Sequence, residues 1–182
     1  MKKSIIKTSF ILSVLNFIGC TGTDYNKKTD FDQYTMDIPQ SWRKVELKGI
    51  DSHVFLIITK NGDSIFSDYG KYSEKFDETN KVFSYEEIKE FKSSGMDITG
   101  LYYSKKPEID QAQGTFLKEY YYYDTINKIT GKIKVPKIAG KGGIGIHFSN
   151  LKDNNSLTIS GKNLNEADQN ILLDSFKSIM IK

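Results

Sequence analysis

Hydrophobic residues recur at every second position in several runs of this chain, and that period admits strands and little else. Ile129, Gly131, Ile133 and Val135 alternate with Thr130, Lys132 and Lys134, and Ile144, Ile146 and Phe148 alternate with Gly145, His147 and Ser149. Tyr34, Met36 and Ile38 repeat the pattern before Pro39, which ends the run ahead of a turn carrying Trp42. Val54 to Ile58 is apolar on both faces and reads as a central, covered strand. Asn61-Gly62 then precedes Asp63-Ser64-Ile65-Phe66. Asn-Gly between two strand-like runs is a strong hairpin signal, because both turn residues favour positive φ. An antiparallel hairpin of 53–60 with 63–69 is expected. Phe116 to Tyr123, rich in aromatics, reads as a strand. Leu157 and Ile159 read as a shorter one after the turn Asp153-Asn154-Asn155, and Ile179 to Ile181 as a last one.

Two helices interrupt the strands. Ser84-Tyr85-Glu86-Glu87 has the form of a capping box, serine at the N-cap and Glu87 three residues on. Tyr85, Ile88 and Phe91 then share a helical face, and Gly95 is a stop signal. Leu164, Ala167, Ile171, Leu172, Ser175 and Phe176 form a second stripe, with Asn163 or Asn165 as cap. Gly70 to Val82 reads as loop, and Pro107 to Gly114 is ambiguous. No internal repeat is visible. Strands in antiparallel hairpins plus helices make the class α+β.

The N-terminus is of another kind. Lys2, Lys3 and Lys7 flank an apolar stretch from Thr8 to Gly19 that ends at Cys20, with no acidic residue before Asp24. This is the pattern of a secretory signal; the stretch is short of the ~20 apolar residues a spanning helix needs. Phe17-Ile18-Gly19-Cys20 resembles the lipobox of bacterial lipoproteins, although leucine is commoner than Phe17 at its position. The resemblance implies a diacylglyceryl group on the Cys20 sulfur, cleavage just before Cys20, and acylation of the new N-terminus. The expected organisation is a signal peptide over 1–19, a lipidated N-terminus and flexible tether over 20–33, and one domain over 34–182. Two or three buried acyl chains hold firmly where one holds only reversibly.

Processing also changes the composition. The net charge of +3 disappears with the signal lysines, leaving basic residues equal in number to the 23 acidic ones. A neutral chain whose sole arginine is Arg43 lacks the clustered positive charge of a nucleic-acid surface. Cys20 is the single cysteine. Once it is lipidated there is no disulfide, no thiolate nucleophile and no cysteine ligand, so the fold relies on its core.

Tyr34-Thr35-Met36-Asp37-Ile38-Pro39-Gln40-Ser41-Trp42 resembles the opening of PsbP-like, MOG-type domains, a short strand with proline shortly before tryptophan. Ile171-Leu172 and Ser175-Phe176, on a last helix running into a short strand, resemble the end of that family. The resemblance, over roughly 34–182, implies a central antiparallel sheet flanked by helices, an α/β/α sandwich. Members include photosystem extrinsic subunits, a binder of a small GTPase and many bacterial lipoproteins. The shared positions are core and turn positions, so no binding residue transfers.

The remaining motifs are weighed by what their chemistry requires. Lys141-Gly142-Gly143-Ile144-Gly145 resembles the start of a phosphate loop, but the lysine and hydroxyl that must follow are replaced by Ile146-His147-Phe148; a glycine-rich connection is expected. Asp153-Asn154-Asn155 begins like a calcium loop, yet Thr158 and Leu164 stand where glycine and glutamate are needed. In Asp51-Ser52-His53, Ser52 points away from both neighbours on an extended chain. His53 and His147 could share a metal with Asp51 or Asp63 only if the fold brought them together. Glu86-Glu87 fits a solvated helix face as well as acid–base work. In Tyr120 to Tyr123 alternate side chains take opposite faces. One pair should pack inward, and Tyr121 and Tyr123 are the candidate binding surface, with Tyr102 and Tyr103 near.

These readings make Cys20 the lipidation site and assign no catalytic, metal or cofactor residue. The expected function is a non-catalytic binding or assembly module of the cell envelope, held to a membrane by lipid, its partner a protein or glycan. Two alternatives remain open: an extracytoplasmic hydrolase using carboxylates or His147, and a small-ligand carrier with a closed apolar pocket of ~300 Å³ or more.

Overall fold

The computed structural model describes residues 26–76 and 80–182. The expected signal at 1–19 and Cys20 lie outside them. Strands β1 (Asn26–Asp30), β2 (Tyr34–Pro39), β3 (Arg43–Leu47), β4 (Ser52–Ile58) and β5 (Ser64–Gly70) come first. β6 (Val82–Ser84), α1 (Tyr85–Ser93), β7 (Tyr102–Ser104) and α2 (Pro107–Ala112) follow. The chain ends with β8 (Glu119–Ile126), β9 (Ile129–Pro136), β10 (Gly143–Phe148), β11 (Ser156–Lys162), α3 (Glu166–Phe176) and β12 (Met180–Ile181). The class is α+β, built on a seven-stranded antiparallel sheet in the order β3-β4-β5-β11-β10-β9-β8.

Alternation gives this sheet two unlike faces. One carries Phe55, Ile57, Ile65, Leu157, Ile159, Ile144, Ile146, Phe148 and Ile133, all buried. α3 and the small sheet β1-β2-β12 supply their partners, including Tyr34, Met36, Ile38, Leu172 and Phe176. Trp42, read as a turn residue, is also in this core at 2 % exposure. α1 and α2 instead pack with β6 and β7, and this unit joins β8 through the Tyr121 amide, which donates to the Gln113 carbonyl at 3.1 Å. No helix among the described residues is long and apolar enough to cross a membrane.

Within the segment expected to be a flexible tether over 20–33, the described part, 26–33, departs from that reading. Residues 26–30 pair in register with 35–39 of β2, and Phe31 is fully buried, stacked on Tyr34 at 4.8 Å and edge-on to Phe55 at 5.5 Å. The polar composition of β1 misled because it is an edge strand with outward side chains; Phe31, at its end, turns in. Residues 26–33 therefore belong to the folded body, expected to start at Tyr34.

Local details follow their residues. The β4–β5 hairpin forms, but only Gly62 has positive φ. The Gly62 amide donates to the Thr59 carbonyl and the Thr59 amide to the Asp63 carbonyl, a three-residue loop closed by a left-handed glycine. The two-residue hairpin turn with positive φ at both positions is instead Asn127-Lys128, between β8 and β9, and Asp153-Asn154 before β11 shares that conformation. Ser84 and Glu87 make the capping box in full. Asn165 caps α3, whose buried face is shifted from the expected stripe: Ala167 is exposed, while Asp168 and Gln169 are buried. Asp168 is satisfied there by the amides of Asn61 (3.0 Å) and Asn165 (2.7 Å). β11, read as short, runs seven residues at the centre of the sheet.

Candidate functional site

The second face of the sheet carries the groups with chemical potential. Register places Asp68, Thr158, His147, Lys132 and Tyr123 in one row across β5, β11, β10, β9 and β8. Phe66, Ser160, Gly145, Lys134 and Tyr121 form the next row. The chain beyond β5 lies over the middle of this face. The Ser73 hydroxyl donates to the Asp68 carbonyl (2.7 Å), and the Phe76 ring sits above Gly145. Gly145 makes this approach feasible: a Cβ there would fall 2.8 Å from Phe76 and 2.5 Å from the Ile159 carbonyl. The glycines of 140–145 thus serve a connection and a close approach, with Gly140 and Gly142 at positive φ in the loop.

His147 is 6 % exposed. Its Nδ1 lies 2.8 Å from the Thr158 hydroxyl, which itself donates to the Glu74 carbonyl at 2.7 Å. A hydroxyl has one proton, so Thr158 accepts from His147 and Nδ1 carries the hydrogen. Nε2 is then a lone-pair acceptor, and it is buried without a hydrogen-bond partner. Burial lowers the imidazole pKa, and Lys75 and Lys132 lower it further. His147 and Tyr123 line a cavity of about 230 Å³ together with Lys75, Phe76, Thr130, Lys132 and Ser149. The Lys132 ammonium lies 5.3 Å from the Tyr121 ring and 6.0 Å from that of Tyr123. Beside it, Lys134 sits 4.2 Å over Phe76, its pKa lowered by burial, with Glu119 and Glu74 opposing that shift.

The tyrosine strand does not divide as expected. Tyr121 is buried at 7 %, whereas Tyr120, Tyr122 and Tyr123 are exposed at 53 %, 45 % and 68 %. The ring of Tyr121 packs against Gly114, where a Cβ would lie 2.6 Å from it. β8 is the edge strand, so its remaining tyrosines stay in solvent. Tyr121 is therefore a structural residue, and Tyr123 alone of the proposed pair faces outward. Tyr102 and Tyr103 lie instead with the α1–α2 unit, against Phe116 and Tyr85.

The other candidates separate. His53, on β4, lies 3.6 Å from Asp32 and 3.4 Å from Gln33, on the face opposite His147. Among the described residues no group of three His, Cys, Asp or Glu side chains could hold a metal. Ser52 packs over Gly70. A His147-based hydrolase needs the imidazole to accept a nucleophile's proton, whereas here Nδ1–H donates to Thr158, whose own proton goes to the Glu74 carbonyl. A depression of about 770 Å³ near Lys118, Lys137, Ile138 and Lys141 is open and lysine-lined rather than closed and apolar. Phe76 and Lys75, both in a segment read as loop, were not singled out; no periodicity marks them, since a long-range approach places them.

No family model matches the chain, and no curated protein matches it. Among solved structures it is similar to cyanobacterial PsbP (CyanoP) from Synechocystis sp. PCC 6803, at 8% identity and a TM-score of 0.40, covering 92% of this chain and 99% of that one.

Proposed function

We propose that this chain is an exported bacterial lipoprotein, anchored through lipid on Cys20, that serves as a non-catalytic binding module of the cell envelope. The observation that carries the binding reading is Tyr123. It is 68 % exposed at the edge of the sheet face that also carries Phe66, 52 % exposed, and the half-buried Lys132 and Lys134. An exposed aromatic beside polar donors suits the apolar face and hydroxyl rim of a sugar ring, which makes an envelope glycan the favoured partner. The anchoring reading rests on the lysines, apolar stretch and Gly19-Cys20 of the N-terminus. Cys20 precedes β1 by a few residues, so a lipid there would hold the sheet close to a bilayer.

Two measurements test this. Metabolic labelling with a fatty-acid analogue should mark the wild-type chain and not Cys20→Ser; an unlabelled wild type refutes the anchor. Recovery of envelope material on the immobilised chain should fall in Tyr123→Ala, and equal recovery refutes this face as the contact.

A further inference from the structure

Register places the start of β1 at one end of the large sheet. Asn26 pairs with Pro39, and the Trp42 amide donates to the Pro39 carbonyl, which brings β2 straight into β3. Arg43, the first residue of β3, pairs with Ile58, and Ile58 with Ser64. Ile65 pairs with Gly161, and Lys162 with Gly143. β1 therefore starts at the same end as the loop from β9 to β10. The loop from β3 to β4, with Ile50, lies at the opposite end. The few residues from Cys20 to Asn26 reach at most roughly 20 Å. A lipid on Cys20 would thus draw the first end, not the second, toward a bilayer.

That end has the chemistry of a membrane contact. The Lys141 amide donates to the Ile138 carbonyl at 3.0 Å, closing a tight turn in which Gly140 has a φ of 77°. The turn holds Ile138 out at 60 % exposure. It borders the depression of about 770 Å³ that Lys118, Lys141 and Lys162 also line. All three lysines are exposed, and none is in an ion pair among the described residues. Lys137 is held by the carbonyls of Gly114 and Thr115, and Glu119 accepts from the Gly143 amide. An apolar side chain held among cations partitions into the headgroup layer of an anionic bilayer. A soluble anion would answer the lysines and leave Ile138 in water.

We infer that this end of the sheet is a second membrane contact, in which Ile138 enters the headgroup layer of an anionic phospholipid surface and Lys118, Lys141 and Lys162 meet its phosphates. The inference rests on the lipid-anchor reading and gives the anchored domain one orientation.

The test uses the processed, lipidated chain in vesicles of phosphatidylcholine alone or mixed equally with phosphatidylglycerol. Lipid blocks Cys20, the one native cysteine, so Ile138→Cys takes a polarity-sensitive dye at a single place. In the anionic vesicles its emission should shift to the blue and it should lose most of its quenching by acrylamide. In phosphatidylcholine alone it should stay accessible. The same dye on Ile50→Cys, fully exposed at the opposite end, should remain in water in both. Changing Lys118, Lys141 or Lys162 to alanine should lower the ratio of docked to undocked chain by roughly fivefold each, with the chain still on the vesicles. A dye at 138 as accessible as one at 50, a dye at 50 protected instead, or equal protection in both vesicle types overturns the inference. If the chain stays with the vesicles while 138 remains in water, the anchor stands and this contact is rejected. If the chain takes up no fatty acid and does not float with the vesicles, both readings fall.

Discussion

Replacing Phe31 with alanine tests whether the residues just before β2 belong to the fold. The ring is fully buried, stacked on Tyr34 with an interplanar angle of 3° and set edge-on to Phe55 at 77°, and the Lys44 ammonium lies 5.6 Å from its centre. Truncating a buried phenylalanine costs about 3–5 kcal/mol, transfer and cavity effects together, and a chain of this size holds only about 5–15 kcal/mol in total. With ~2–4 °C of Tm per kcal/mol for this length, the midpoint should fall by roughly 6–20 °C. Thermal unfolding by circular dichroism, with urea denaturation as a second axis, measures it. Lys27→Ala, on the exposed side of β1, is the control and should stay within about 0.5 kcal/mol of wild type. A Phe31→Ala midpoint equal to that of the control would mean that 26–33 is a tether after all and that β1 does not close the small sheet.

Tyr121 and Tyr123, adjacent on β8, should respond in opposite ways. Tyr121→Ala should destabilise by about 3 kcal/mol or more, and Tyr123→Ala by less than about 0.5 kcal/mol, read as urea midpoints. Gly145→Ala should cost about 1–3 kcal/mol, because its Cβ would meet Phe76 and the Ile159 carbonyl; an unchanged midpoint would show that Phe76 does not rest on the sheet. Ser84→Ala should remove about 1 kcal/mol by opening the capping box, with faster amide exchange confined to the first turn of α1. The folded pKa of His147 is depressed, by burial first and then by Lys75 and Lys132. Its contribution to stability is therefore complete above the unfolded value of about 6.5 and is lost as pH falls through the folded pKa, with a slope of at most ~1.4 kcal/mol per pH unit. His147→Gln should flatten the stability profile below about pH 6.5, and an unaltered slope would refute the assignment.

Much of this architecture is written locally. Period-two runs place β2, β9 and β10, and a continuous apolar run before Asn61-Gly62 places β4. Ser84 with Glu87 starts α1, and Asn165 starts α3, because capping groups satisfy amides only a few residues away. The sequence also isolates Cys20 as the sole thiol and names Tyr123 and His147 as residues to watch. Alternation says that Tyr121 and Tyr123 share a face; it says nothing about what lies over each, and only packing against Gly114 makes one structural and leaves the other in solvent. β1 could not be read from its polar residues, since an edge strand needs no apolar pattern once Phe31 anchors it. The His147 cavity depends on still longer reach. β11 crosses back between β5 and β10 and sets Thr158 beside His147, and the chain after β5 carries Glu74, Lys75 and Phe76 over the same ring. Sequence determined most strands of the large sheet, the caps and the residue types available for chemistry. Tertiary structure decided which of them lost water, because burial and partner choice arise from contacts between segments that no local pattern encodes.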